Sequence, residues 1–410
     1  MVRDDGILVE HIAHGHRQLR VAMVTETYPP EVNGVAMTVG RMVSGLRDRG
    51  HSVQLIRPRQ HAGEAPDRGF RFEERLAGGL SIPNYPGLRF GLPSKGYLSR
   101  LWSLDRPDVI HVATEGPLGW SAVSAARKLR LPVSSGFHTD FEAYARHYGV
   151  GWLKEPIARY LKSLHNRTDA TLVPTRALAE SLERAGYRGV RVLARGVDTR
   201  WFHPGRRSAE LRARWGVGES GLVVLHVGRM AAEKNLDLVL RSFERIRAMR
   251  PDARMLFVGG GPLAGNLASR HPEFLFAGVR HGEDLAAHYA SADVFLFPSL
   301  TETYGNVTAE ALASGLAVIA YRCAAAADLI EDGVHGLLAP MAEDAAFAAA
   351  AARAAADDPL RASLRGAAPA AVAGLDWERI HDRFSAVLAE IVDRRSQDRQ
   401  ARGGFLVAPD

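Results

Sequence analysis

A chain of 410 residues is longer than one compact core accommodates, so two domains are expected. Its composition, 46% hydrophobic and 24% charged without a low-complexity block, is that of a globular protein. The net charge of +6 favours anionic partners such as phosphates or an acidic membrane surface, whereas nucleic acid is not an expected partner, because no RNA-binding signature and no long Lys/Arg run occurs.

The opening stretch MVRDDGILVEHIAHGHRQ is polar and lacks an apolar signal core, so a cytoplasmic protein is expected. No run of about 20 apolar residues follows, and any membrane contact would be peripheral, at the inner face of the cytoplasmic membrane. LRVAMVTE (19–26) predicts a strand and GVAMTVGRMVSGLRDRGH (34–51) a helix closed by Gly50. Further strands are expected at SVQLIRP (52–58), PDVIHVAT (107–114), PVSSGFH (132–138) and DATLVPT (169–175), with a long helical region over about 142–168. A second cycle then places strands at 221–229, 253–262, 274–280, 292–299 and 316–322. Short β-branched runs alternating with helices predict α/β architecture, a doubly wound parallel sheet in each half. The Gly- and Pro-broken segment VLARGVDTRWFHPGRRS (192–208) is the expected hinge, between domains over 18–195 and 204–375. Cys323, the single cysteine, excludes an intrachain disulfide and a cysteine-rich metal site and fits a reducing compartment.

Ligands of such sheets bind at the carboxyl ends of the strands, so the loops there are the place to look for chemistry. Asn33-Gly34 follows the first strand and suits either backbone approach to a phosphate or an ordinary tight turn. His138 follows the 132–137 strand and could bond a sugar hydroxyl or handle a proton, although a structural role is the commoner fate of a histidine. Arg229 and Lys234 share one strand-end loop, where a guanidinium fork and a point charge would hold a pyrophosphate; two solvated surface cations are the bland alternative. VGGGP (258–262), with Gly259 and Gly260, is not the G-x-G-x-x-G dinucleotide fingerprint and suits either a strand exit beside a nucleotide base or a plain turn. In TETYGNVTAE (301–310), Glu302 precedes a helix that starts near Asn306 and Val307, whose amides would be free donors, and carries Glu310. Eight residues of helix amount to about two turns plus 80°, so the two carboxylates suit separate contacts along an elongated ligand better than one metal site.

Taken together, GRMAAEKN, VGGGP, YASADVFLFPSLTETYGNVTAEALASGLAVIA and DGVHGLLAP resemble the retaining GT-B glycosyltransferases of glycosyltransferase family 4, over roughly residues 19–390. The resemblance implies a GT-B fold of two Rossmann-like domains facing across a cleft, with the acceptor bound by the first and the donor by the second. The resemblance also implies that a C-terminal helix over 376–393 crosses back to the first domain, and the tail beyond about Arg394 is expected to be flexible. It assigns Glu302 to the transferred sugar, Glu310 to the ribose, and Arg229 and Lys234 to the diphosphate. Gly34 would face the phosphates, and His138 would lie near the reacting sugar. No D-x-D motif occurs, and neither metal nor other cofactor is expected.

GFHTDFEAYARHYG and TETYGNVTAE look most like GDP-mannose-dependent α-mannosyltransferases and sulfoquinovosyl-diacylglycerol synthases, which implies a nucleotide-diphosphate sugar donor and a lipid or glycan acceptor. The basic and aromatic region from Arg146 to Arg167, with Tyr148, Trp152 and Tyr160, suits either adsorption to anionic lipid or a helix half-buried on the sheet. CAAAADLIEDG (323–333) departs from the family, many members of which have paired glycines there. A GT-B-like non-hydrolysing sugar-nucleotide epimerase, an NAD-dependent oxidoreductase and a non-catalytic binding module remain the alternatives.

Overall fold

The computed structural model describes residues 17–31, 33–61, 63–81, 89–138, 154–218 and 220–403. The first half is built on an eight-stranded sheet. Its strands are β1 (Arg20–Val24), β2 (Ser52–Pro58), β3 (Arg68–Gly69), β4 (Phe72–Ala77), β7 (Val109–Val112), β8 (Val133–Gly136), β9 (Ala170–Val173) and β10 (Val190–Val192), in the order β10-β9-β8-β7-β1-β2-β4-β3. Every pairing is parallel except β3 with β4, and a separate hairpin joins β5 (Gly79–Ser81) to β6 (Arg89–Gly91). The second half is a six-stranded, all-parallel sheet of β11 (Val223–Val227), β12 (Arg254–Val258), β13 (Leu275–Gly278), β14 (Val294–Phe297), β15 (Ala317–Tyr321) and β16 (Gly336–Ala339). Their order, β13-β12-β11-β14-β15-β16, reverses between β11 and β14. Loops leaving two neighbouring strands in opposite directions open a crevice there.

The central strands VVLHV and VFLF are buried at every position, because helices cover both faces. The same two-sided burial made these runs visible in the sequence. Strands β3 to β6, β10 and β16 lie outside the elements expected from it, being short or mixed in polarity.

The final helix, Trp377–Gly403, returns to the first half as expected and buries Ile380, Phe384, Leu388 and Ile391 against Leu19, Val21 and Met23. It runs past residue 393, so the expected flexible start of the tail is not found at Arg394. There Arg394 donates to the Asp169 carbonyl at 2.8 Å and Arg395 pairs with Asp169 at 2.6 Å. The chain therefore passes between the halves twice. Both passes meet in a short parallel bridge, Val197 with Asp376, where the Val197 amide donates to the Leu375 carbonyl at 2.8 Å.

Candidate active site

The β11 and β14 exits bring Lys234 and Glu302 together. Beyond β11, a single 3-10 turn over Ala232–Lys234 ends at Asn235, whose left-handed φ of +51° starts the Leu236–Met249 helix. This turn aims the Lys234 ammonium at Glu302, with which it forms a part-buried ion pair, and over the Phe297 ring at 5.3 Å. Ser299 also donates to the same Glu302 oxygen at 2.9 Å. Arg229 lies earlier in the loop and pairs with the buried Glu233.

Gly305 takes φ +85° immediately before the Asn306–Ala313 helix, a conformation that costs an L-residue with a side chain roughly 1–2 kcal/mol. The turn it allows closes the loop that leaves β14 and starts the helix beside Glu302. The first amides of that helix, at Asn306 and Val307, have no intrahelical acceptor. The buried Asn306 side-chain oxygen also has no hydrogen-bond partner.

Glu310, further along the helix, has a different neighbourhood. Its carboxylate accepts from the Tyr289 hydroxyl at 2.9 Å, and burial pushes its pKa up to about 7, against the lowering effect of that bond. The two glutamates thus have separate partners, in keeping with separate contacts. Among the described residues, no three His, Cys, Asp or Glu side chains are grouped to hold a metal ion.

The glycine-rich exit of β12 has a packing reason. A Cβ on Gly259 would lie 2.0 Å from the Gly228 carbonyl oxygen, and one on Gly261 would lie 2.5 Å from that of Met230. With the Gly228 amide donating to Val258 and the Met230 amide to Gly260, these contacts fix the loop that carries Arg229. A Cβ on Gly260 would meet only the Val279 side chain, at 3.3 Å.

In the first half, Asn33 caps the Gly34–Asp48 helix, its side-chain oxygen accepting from the Val35 and Ala36 amides at 3.1 and 2.8 Å. Its side chain is therefore engaged in local structure. Gly34 is needed for neither turn nor strain; the space where its Cβ would stand faces the Arg195 guanidinium, 3.8 Å away.

His138 lies on the other side of Arg195, with Nδ1 3.5 Å from Nη2. Burial, then Arg195, then His111 and His165, hold the His138 pKa well below its ordinary value, so the ring is neutral near pH 7. With Arg195 donating to Nδ1, the ring proton sits on Nε2, which is buried without a partner.

Arg195, within the hinge segment, joins the two halves at the site. Its carbonyl accepts from the Tyr304 hydroxyl at 3.2 Å and its guanidinium lies over the Tyr304 ring at 5.8 Å. Burial lowers its pKa to about 10, so it remains charged at neutral pH. Its place in the hinge is shared by Arg200, Arg206 and Arg207, which pair with Asp198, Glu283 and Asp293 instead, so only tertiary folding singles it out.

The alanine run at 323–333 also has a specific effect. Ala324 opens the Ala324–Leu329 helix with φ +48°, a left-handed conformation that suits glycine, and the Ala325 amide donates to the Tyr304 carbonyl at 2.8 Å. Tyr148 and Trp152 of the proposed membrane face lie outside the described residues. Arg159, Tyr160, Lys162 and Arg167 are exposed, and the Tyr160 hydroxyl donates to the Glu115 carbonyl at 2.7 Å. No helix among the described residues is long and apolar enough to cross a membrane.

Comparison with known proteins matches residues 32–201 to the profile Glycosyltransferase Family 4 and residues 221–357 to Glycosyl transferases group 1. A GDP-mannose-dependent alpha-mannosyltransferase of Corynebacterium glutamicum is 33% identical over 377 residues, covering 92% of this chain and 90% of that protein. One from Mycobacterium tuberculosis is 37% identical over 333 residues, 79% and 85% of the two chains. A sulfoquinovosyl transferase of Arabidopsis thaliana is 31% identical over 326 residues, 77% of this chain and 62% of that one. In fold, the sucrose-phosphate synthase of Thermosynechococcus elongatus superposes with a TM-score of 0.75 at 19% identity, over 92% of this chain and all of the other. The lipopolysaccharide glycosyltransferase WaaG gives 0.67 at 17% identity, over 90% and 99%. These structures share the GT-B fold.

Proposed function

Because this chain belongs to glycosyltransferase family 4, we propose that it transfers a mannosyl group from GDP-mannose, with retention and without a metal, to a hydroxyl of a lipid or lipid-linked glycan. The observation that carries this reading is the convergence of Lys234, Glu302, the Arg195 guanidinium and the start of the Asn306–Ala313 helix at the mouths of β11 and β14. Three cations, Arg195, Arg229 and Lys234, together with the helix-start amides at Asn306 and Val307, would neutralise a departing diphosphate. Glu302, already oriented by Lys234 and Ser299, would accept from sugar hydroxyls, while Glu310 would take the ribose diol. Gly34 would admit a phosphate oxygen near Arg195. Gly259 and Gly260 would flank the base, and His138 would lie near the reacting sugar. In the transfer itself the bond from C1 to the phosphate oxygen breaks, the acceptor oxygen bonds C1 from the same face, and its proton passes to the departing phosphate.

The donor is tested by thermal shift with GDP, UDP and ADP, followed by turnover with the matching sugars and NMR of the product anomer. Stabilisation by GDP alone and an α-linked mannoside are expected. Stabilisation by UDP alone would replace the donor assignment with that of a UDP-sugar-dependent glycolipid synthase. Epimerisation of a nucleotide sugar without acceptor would contradict transfer.

A further inference from the structure

Two cavities of the first half differ greatly in size. The larger, of about 830 Å³, is bounded by the loop after β1, the β6 hairpin, the loop after β7 and the Lys154–His165 helix. The smaller lies at the carboxyl ends of β7 and β8, walled by His111, Gly136, His138 and Arg195 together with Met42 and Leu193. It leaves the centre of a water molecule about 10 Å³ in which to sit. Three buried polar atoms of its walls have no hydrogen-bond partner among the described residues: Nε2 of His111, Nε2 of His138 and Nε of Arg195. His111 is 1% and Arg195 6% exposed, so bulk solvent does not satisfy them. Gly136 makes the opening. A Cβ there would lie 2.5 Å from the His138 Nε2 and 3.4 Å from the His111 Nε2, so both nitrogens face the same gap.

The direction of each hydrogen is set from the two ends. The Ile110 carbonyl can only accept, and the Ser134 hydroxyl donates to it at 3.5 Å. In the 2.9 Å contact between Ser134 Oγ and His111 Nδ1, the histidine is then the donor. Burial holds the His111 pKa at about 3, so the ring is neutral near pH 7 and its Nε2 is a bare acceptor. At the other end the Arg195 guanidinium can only donate. Its contact with His138 Nδ1 leaves the hydrogen of that neutral ring on Nε2, and Arg195 Nε carries a hydrogen of its own. Two donors and one acceptor therefore share one gap, the complement of a water molecule, which when buried makes about three hydrogen bonds. The charge of Arg195 opposes a metal ion, and a phosphate or carboxylate exceeds the space.

We propose that one buried water occupies this cavity, accepting from His138 Nε2–H and Arg195 Nε–H and donating to His111 Nε2, and that His111 acts through it as a positioning residue for His138 and Arg195. The water lets two histidines of opposite tautomer face each other. It ties the hinge guanidinium to β7 and, through Ser134, to β8, so the core of the first sheet fixes where that charge stands at the cleft. The water site stands without the transferase reading; only its effect on turnover rests on that reading.

The test combines a high-resolution crystal structure of the full chain with nitrogen NMR of its histidines. Density for one water is expected within about 3.2 Å of both Nε2 atoms. His111 should carry its hydrogen on Nδ1 and His138 on Nε2. His111→Leu removes the acceptor and should lose the water, move the His138 nitrogen resonances and lower kcat about fivefold to tenfold, the worth of one hydrogen bond. His111→Gln, whose amide oxygen can accept in the same place, should restore all three. A nucleotide-induced thermal shift in each variant shows that it is folded. An empty cavity, or both rings protonated at Nε2, would overturn the site. Anomalous scattering there from a bromide-soaked crystal would put a halide in place of the water and overturn it equally. His138 resonances unmoved by His111→Leu would remove the positioning role. The expected density and tautomers in a chain that transfers no hexosyl group would sink the transferase reading alone.

Discussion

The Tyr289 hydroxyl donates to the Glu310 carboxylate at 2.9 Å inside the second half, and the carboxyl it holds has a pKa raised to about 7. A raised pKa means that the folded chain binds a proton more tightly than the unfolded chain does. The stability this contributes is complete below about pH 4.5 and is lost as pH rises through about 7. Glu310 should therefore cost on the order of 1–3 kcal/mol at pH 8 relative to pH 5. Glu310→Gln should flatten this part of the Tm-against-pH curve and weaken nucleotide binding. A variant with the wild-type pH slope would refute the assignment.

Arg195 contributes to the low basicity of His138 and lies where a diphosphate is expected. In Arg195→Met, the His138 pKa followed by histidine NMR should rise towards its ordinary value. Nucleotide affinity should fall by about tenfold, the loss of one charge-assisted contact. An unmoved His138 resonance would show that burial alone keeps the ring neutral.

Lys234 and Glu302 should matter more to turnover than to folding. Removing the ammonium from a leaving-group site costs about 10²–10³ in kcat. Breaking their part-buried pair should cost only about 1–2 kcal/mol, chiefly for the partner left behind. Lys234→Ala and Glu302→Ala are compared by steady-state kinetics and by urea unfolding. Full activity in both would remove these residues from the site.

Ala324 holds a left-handed φ of +48° at a helix start. Ala324→Gly should relieve the strain and stabilise the chain by up to about 1 kcal/mol, after the larger unfolded-state entropy of glycine is subtracted. Thermal unfolding measures it, and a destabilised variant would contradict the strained assignment.

The parallel core was legible because strands buried on both faces must be apolar at every position, as in VVLHV and VFLF. The strand-end rule then led to Lys234 and Glu302, which the structure joins. Asn33 shows the limit of local reading: an Asn before a helix signals a cap, and the cap uses its side chain. The reason for Gly259 lies in a carbonyl 31 residues earlier, at Gly228, which no local pattern reveals. Arg195 meets His138 and Tyr304 only through tertiary folding, at separations of 57 and 109 residues. The larger cavity of the first half is assembled from four distant segments, each unremarkable alone.

The two passes of chain between the halves pair with each other at Val197 and Asp376. A single tether would let the halves swivel and twist freely, whereas a paired double tether behaves as a door hinge and restricts them to opening and closing about one axis. Arg195 lies two residues from that axis, so its guanidinium would move little as the cleft closes. The donor-binding loops, further from the axis, would swing towards a nearly fixed charge.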